Sequence, residues 1–65
     1  MWNIVFKTLI WTKEDGQHYT EVARYTMEHP IILSKYQIVF IGDEYHTVER
    51  VEVINFETKT IEVIV

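Results

Sequence analysis

Hydrophobic and polar positions alternate with a period of two along most of this chain, and the alternation is broken by short polar clusters. The clearest run is Tyr45-His46-Thr47-Val48-Glu49-Arg50-Val51-Glu52-Val53-Ile54-Asn55-Phe56, which passes through Glu57-Thr58-Lys59 into Thr60-Ile61-Glu62-Val63-Ile64-Val65. β-Branched and aromatic residues dominate both halves, so the pattern predicts strand, turn and strand. Trp2 to Thr12 predicts a first strand, with Ile4, Phe6, Thr8 and Ile10 on one face and Val5, Lys7, Leu9 and Trp11 on the other. Apolar residues on both faces place that strand in the interior of a sheet or under cover on each side.

Asp15-Gly16 follows, a strong short-range hairpin signal, and predicts a second strand from about His18 to Met27 that brings Tyr19 near Trp11. Helix competes here, because Tyr19, Val22, Ala23, Thr26 and Met27 also fall at helical spacing and Pro30 would end a helix just beyond them. The weak helix propensity of Tyr19, Thr20, Val22, Tyr25 and Thr26 favours the strand. Glu28 to Tyr36 reads as an irregular connection in which Pro30 holds His29 extended. Its Ile31-Ile32-Leu33 plug suits either a cap over the open end of a barrel or a hydrophobic binding loop.

Gln37 to Ile41 predicts a third strand, and Gly42-Asp43 a tight turn of type II′ into a long fourth one. The alternation of that fourth strand slips, since Val51 and Val53 differ in parity from Val48, Ile54 and Phe56. A β-bulge near Glu49-Arg50 would restore Val48 to the face of Val51 and Val53 and bend the strand. The last strand, Thr60 to Val65, turns Ile61, Val63 and Val65 inward. A hairpin followed by a three-stranded meander gives the expected architecture: all-β, one domain over residues 1–65, a five-stranded small SH3-like barrel.

Composition narrows the chemistry. A chain of 65 residues buries only about 60% of its unfolded surface, so its own core is marginal. It has no cysteine, which removes disulfides and thiolate zinc sites. Hydrophobic residues make up 48% and aromatic residues 14%, enough to supply an interface as well as a core, and self-association is an open expectation. The net charge of −4 and six scattered cations (Lys7, Lys13, Arg24, Lys35, Arg50 and Lys59) argue against nucleic acid as ligand. No apolar stretch is long enough to span a membrane as a helix, and Met1 to Lys7 lacks the features of a signal peptide. A cytoplasmic protein is expected.

No catalytic motif is present: Gly16 and Gly42 are the only glycines, Ser34 the only serine, and the carboxylate pairs Glu14-Asp15 and Asp43-Glu44 sit on turns. His18, His29 and His46 match no metal-ligand spacing. No enzyme activity, cofactor or metal is expected. Candidate partner-binding residues are the aromatics Trp2, Trp11, Tyr19, Tyr25 and Tyr36, because Trp and Tyr dominate interface hot spots, together with Glu49, Glu52 and Glu62. These three belong to an acidic series with Asp43, Glu44 and Glu57 that reads as a solvated sheet face or as an acidic surface mimicking DNA.

The stretch from Pro30 through Gly42-Asp43-Glu44-Tyr45, Val48 and Arg50-Val51 to the terminal strand resembles small uncharacterised accessory proteins of phages and prophages of Gram-positive bacteria. The resemblance covers the C-terminal half and rests on turn and core positions, so it carries no catalytic residue over. It implies a phage-type accessory protein. Together with a compact, acidic, aromatic-rich barrel that lacks a catalytic constellation, it leads to the expectation of a non-enzymatic binding protein that inhibits a host protein, one of defence or nucleic-acid handling, in the host cytoplasm. Two other classes stay open. One is a homo-oligomer that sequesters a nucleotide between subunits, with Arg24, Arg50, Lys35 or Lys59 meeting the phosphates. The other is a structural component of a virion or complex.

Overall fold

Both faces of the first apolar segment are used. The computed structural model describes residues Met1–Val65, with strands β1 (Trp2–Thr12), β2 (Gly16–Met27), β3 (Ile38–Ile41), β4 (Glu44–Thr47), β5 (Arg50–Asn55) and β6 (Thr60–Ile64) and no helix. β1 lies inside a four-stranded sheet of order β2-β1-β6-β5, while β3 and β4 form a separate hairpin. β1 runs antiparallel to β2 and parallel to β6, and β5 runs antiparallel to β6. The chain is all-β, and residues 18–27 are strand rather than helix. Pairing to β1 outweighs their helical spacing, as tertiary context often does.

The turns explain the register. Gly16 takes a φ of 72° and Gly42 one of 62°, the left-handed region that glycine enters without steric cost. Asp43 keeps a negative φ, the sign pattern of the expected II′ turn. At the first hairpin Thr12 pairs with Gly16, so Tyr19 stands opposite Leu9, and Trp11 stands opposite Gln17. Tyr19 and Trp11 are thus diagonal neighbours on one face, near each other as the hairpin signal implies, though not directly opposite.

The long fourth segment serves two sheets. Glu44–Thr47 pairs with β3 and Arg50–Asn55 pairs with β6, with a corner at Val48-Glu49 between them. The Val48 N–H donates to the Gln37 carbonyl and the Val48 carbonyl accepts from the Tyr36 N–H, both at 2.8 Å. The Glu49 N–H donates to the Ile64 carbonyl at 2.7 Å. The register shift lies at Glu52, not at Glu49-Arg50. Val51 and Ile54 consequently oppose Val63 and Ile61, and Val53 opposes Glu62 on the other face.

Seven of 65 residues are buried. Ile4, Phe6, Ile61 and Val63 share one face of the sheet and meet Val48 from the corner. Leu33, Val39 and Ile41, from the irregular connection and β3, pack over them. The other face shelters Val5 and Ile64, flanked in register by Arg24, Glu62, Lys7 and Arg50, whose aliphatic stems cover apolar surface. The two sheets do not close into a hydrogen-bonded barrel. β1 and β2 continue past the end of β6 as an arm, anchored where the Val65 N–H donates to the Lys7 carbonyl and the Thr8 hydroxyl to the Val65 carbonyl.

Candidate functional site: an apolar groove at an open seam

Because β2 and β3 do not pair, the core face is left open along the seam between them. A groove of about 290 Å³ lies there. β1 supplies Ile4 and Phe6 to its floor, β2 supplies Tyr25 and Met27, the connection supplies Ile31 and Leu33, and β3 supplies Val39 and Phe40. All eight are hydrophobic. In register, Ile4 opposes Tyr25 and Phe6 opposes Ala23, so the small Ala23 side chain leaves the Phe6 ring accessible to its diagonal neighbour. The Phe6 and Tyr25 rings meet edge to face at 6.0 Å, which fixes one wall. Phe40, 73% exposed, stands on the opposite rim.

This lining restricts what the groove can hold. Apart from the Tyr25 hydroxyl it offers no side-chain hydrogen-bond donor or acceptor, so water inside finds few partners and a phosphate or sugar would be desolvated with little compensation. The volume is at the lower end of small-molecule sites and suits one or two apolar side chains. Of the expected contact residues, Tyr25 alone reaches it. The Ile31 and Leu33 plug lines it, while Ile32 points away and is 72% exposed. Met27, Val39 and Phe40 are not among the expected contact residues, because in the sequence they read as strand positions with nothing to mark them as a site.

The other expected residues fall into three groups. Trp2 packs at the core edge and meets Phe56 edge to face at 5.8 Å. Trp11 lies on the arm, 67% exposed, and Tyr36 lies at the corner, 72% exposed, with the Lys35 ammonium 5.1 Å from its ring centre. Tyr36 adopts a φ of 71°, and the turn closes where the Gln37 N–H donates to the Ser34 carbonyl at 3.1 Å. A bulky residue in that region is uncommon and strained.

Tyr19, Glu49 and Glu52 converge on Arg50 across the outer face. Arg50 donates to the Glu52 carboxylate at 2.6 Å, to Glu49 at 2.9 Å and to the Tyr19 hydroxyl at 2.6 Å. The Glu52 and Tyr19 hydrogen bonds raise the Arg50 pKa further. Glu62 is paired with Lys7, and Glu21 with Arg24 at 2.7 Å, which draws Glu21 below its ordinary pKa. This face is thus a lattice of opposite charges. Glu49, Glu52 and Glu62 do not form the continuous acidic surface that DNA mimicry would use. Arg24 and Arg50 are already engaged, which weakens the case for either as a phosphate ligand. No group of three or more His, Cys, Asp or Glu side chains comes together, and no helix is long and apolar enough to cross a membrane.

No protein-family model, curated protein or solved structure matches the chain.

Proposed function

We propose that this is a non-enzymatic binding protein that grips an apolar, extended segment of another protein in the groove between β2 and β3. The observation that carries this reading is the groove itself: an open, almost entirely apolar hollow on the core face of a small domain. A protein of this mass ordinarily exposes about 4,400 Å², whereas this chain exposes 4863 Å². The surplus fits a surface meant to be covered. The unpaired edge of β3 offers main-chain groups to an incoming strand, and alternate side chains of that strand drop into the hollow.

The finer reading is a phage-type accessory factor that binds and inhibits a host protein. It rests on the resemblance in the C-terminal half and on the preference of the groove for protein over nucleotide. The architecture is best described as an opened variant of the SH3-like small barrels. Its hairpin is followed by a meander whose last strand returns beside the first, which supports that description.

The test is a tagged pull-down from bacterial lysate with the native chain and Phe40→Asp, read by mass spectrometry for proteins and small molecules. Phe40 is on the rim, so the variant folds while the hollow gains a charge. A protein retained by the native chain and lost by Phe40→Asp supports the reading. A protein retained equally by both, or a nucleotide held by a multimer, overturns it.

A further inference from the structure

β2 is a twelve-residue strand at the margin of the sheet, and its outer side is bare. None of its main-chain groups bonds outside the β1 ladder. Natural edges of this length are commonly blunted with lysine, proline, other charges or a bulge; β2 has no lysine or proline, only the charges Glu21 and Arg24 and a single bulge. It has one irregularity: Phe6 pairs with Ala23 and Lys7 with Glu21, so Val22 is an extra residue. That bulge reverses the parity of the strand, placing Tyr19 and Glu21 on the same face as Arg24 and Thr26.

Parity restricts how β2 can pair with itself. A regular strand crossing a two-fold axis keeps its faces aligned only when the paired residue numbers add to an even sum. With the bulge at mid-strand, an odd sum is required. A sum of 45 sets Glu21 opposite Arg24 of the partner subunit and Arg24 opposite Glu21 of the partner subunit, both on the outer face, so the Glu21–Arg24 pair that each chain already makes within itself at 2.7 Å becomes half of a four-charge cluster across the axis. It also sets Tyr25 opposite Thr20 of the partner subunit on the groove face. Side-chain face and main-chain direction are coupled along a strand, so this register matches the outward N–H and C=O groups too.

We infer that the β2 edge is a homodimer interface, antiparallel and two-fold, with its axis at the Val22 bulge and two symmetric Glu21–Arg24 pairs across it. The occupant is a second copy of this chain because Glu21 and Arg24, placed symmetrically about the bulge, make the edge complementary to itself in charge, and parity then fixes the register. The dimer joins two sheets into one of eight strands. Thr20 of the partner subunit then walls the β2 side of each groove, next to Tyr25. This goes beyond the proposed function and does not depend on what the groove binds.

The experiment is analytical ultracentrifugation of the native chain, Arg24→Glu, Glu21→Arg and an equimolar mixture of the two variants. The native chain should dimerise reversibly. Each variant alone should dimerise at least about tenfold more weakly, because like charges then oppose each other twice. The mixture should recover the dimer, because each variant carries the charges the other lacks. A native chain that stays monomeric up to about 1 mM overturns the proposal. So does a dimer that both variants leave unchanged, or variants that the mixture fails to rescue. Hydrogen exchange on the native chain is an independent reading that needs no variant. Amide protection that grows with concentration should be confined to β2, and growth confined to β3 or β5 would refute the edge assignment. A dimer with these properties and an empty groove would leave the interface standing while the proposed function fell.

Discussion

Truncating Ile61 to alanine should nearly unfold this protein. Ile61 is fully buried on β6, directly between Ile4 of β1 and Ile54 of β5. Its loss removes apolar burial and leaves a hole that no neighbouring layer can fill. Ile→Ala changes at such sites cost about 2–5 kcal/mol. A domain of this size has roughly 3–5 kcal/mol in total from a single core. One substitution is therefore comparable to the whole stability, and at about 3 kcal/mol the melting temperature falls by roughly 12–24 °C. Urea denaturation followed by tryptophan fluorescence measures it, with Ile61→Val as an intermediate expected near 0.5–1.5 kcal/mol. Ile32→Ala, at an exposed position of the same residue type, should change stability by under about 0.5 kcal/mol. If Ile61→Ala cost less than about 1 kcal/mol, or no more than Ile32→Ala, β6 would not be the strand at the heart of the sheet.

Replacing Tyr36 or Lys59 with glycine should raise stability by about 0.5–1 kcal/mol each, because both hold a positive φ in a turn and glycine does so without strain; a fall in the urea midpoint for both would contradict the backbone assignment. The Glu21 carboxylate, kept below its ordinary pKa of 4.5 chiefly by the Arg24 hydrogen bond, stabilises the fold above that value. As pH drops through the depressed folded pKa the unfolded state binds more protons and this contribution disappears. In dilute solution the native melting temperature should exceed that of Glu21→Gln near neutrality, and the gap should close below about pH 4.5; a gap constant from about pH 3 to 6 would remove the charge as its cause.

Local pattern was a good guide to strands and turns. The alternation of Trp2–Thr12, the Asp15-Gly16 and Gly42-Asp43 turns, and inward Ile61 and Val63 all follow from period-two burial and from backbone sterics. Apolar residues on both faces of β1 also told correctly that it lies inside a sheet. The bend in Tyr45–Phe56 was legible as a break in parity, but the bulge lies at Glu52 because the β5–β6 register, a pairing of separate strands, decides it. Similarly, Ile31 and Leu33 stood out as an apolar plug, yet nothing local distinguished Ile32, which faces solvent.

What the sequence determined by itself, then, was whatever depends on residues close along the chain: strand identity, turn sites, and the lack of a local catalytic motif. The tertiary structure alone decided which strands pair, which edges stay bare, and which charges meet. Tyr19 and Arg50 are 31 residues apart, and their hydrogen bond exists only because the twisted sheet carries one toward the other. The groove has the same origin. Its eight residues come from β1, β2, β3 and the connection, and they form a site because β2 and β3 fail to pair. An unmade pairing leaves no mark on local alternation, so this hollow could be seen only in three dimensions.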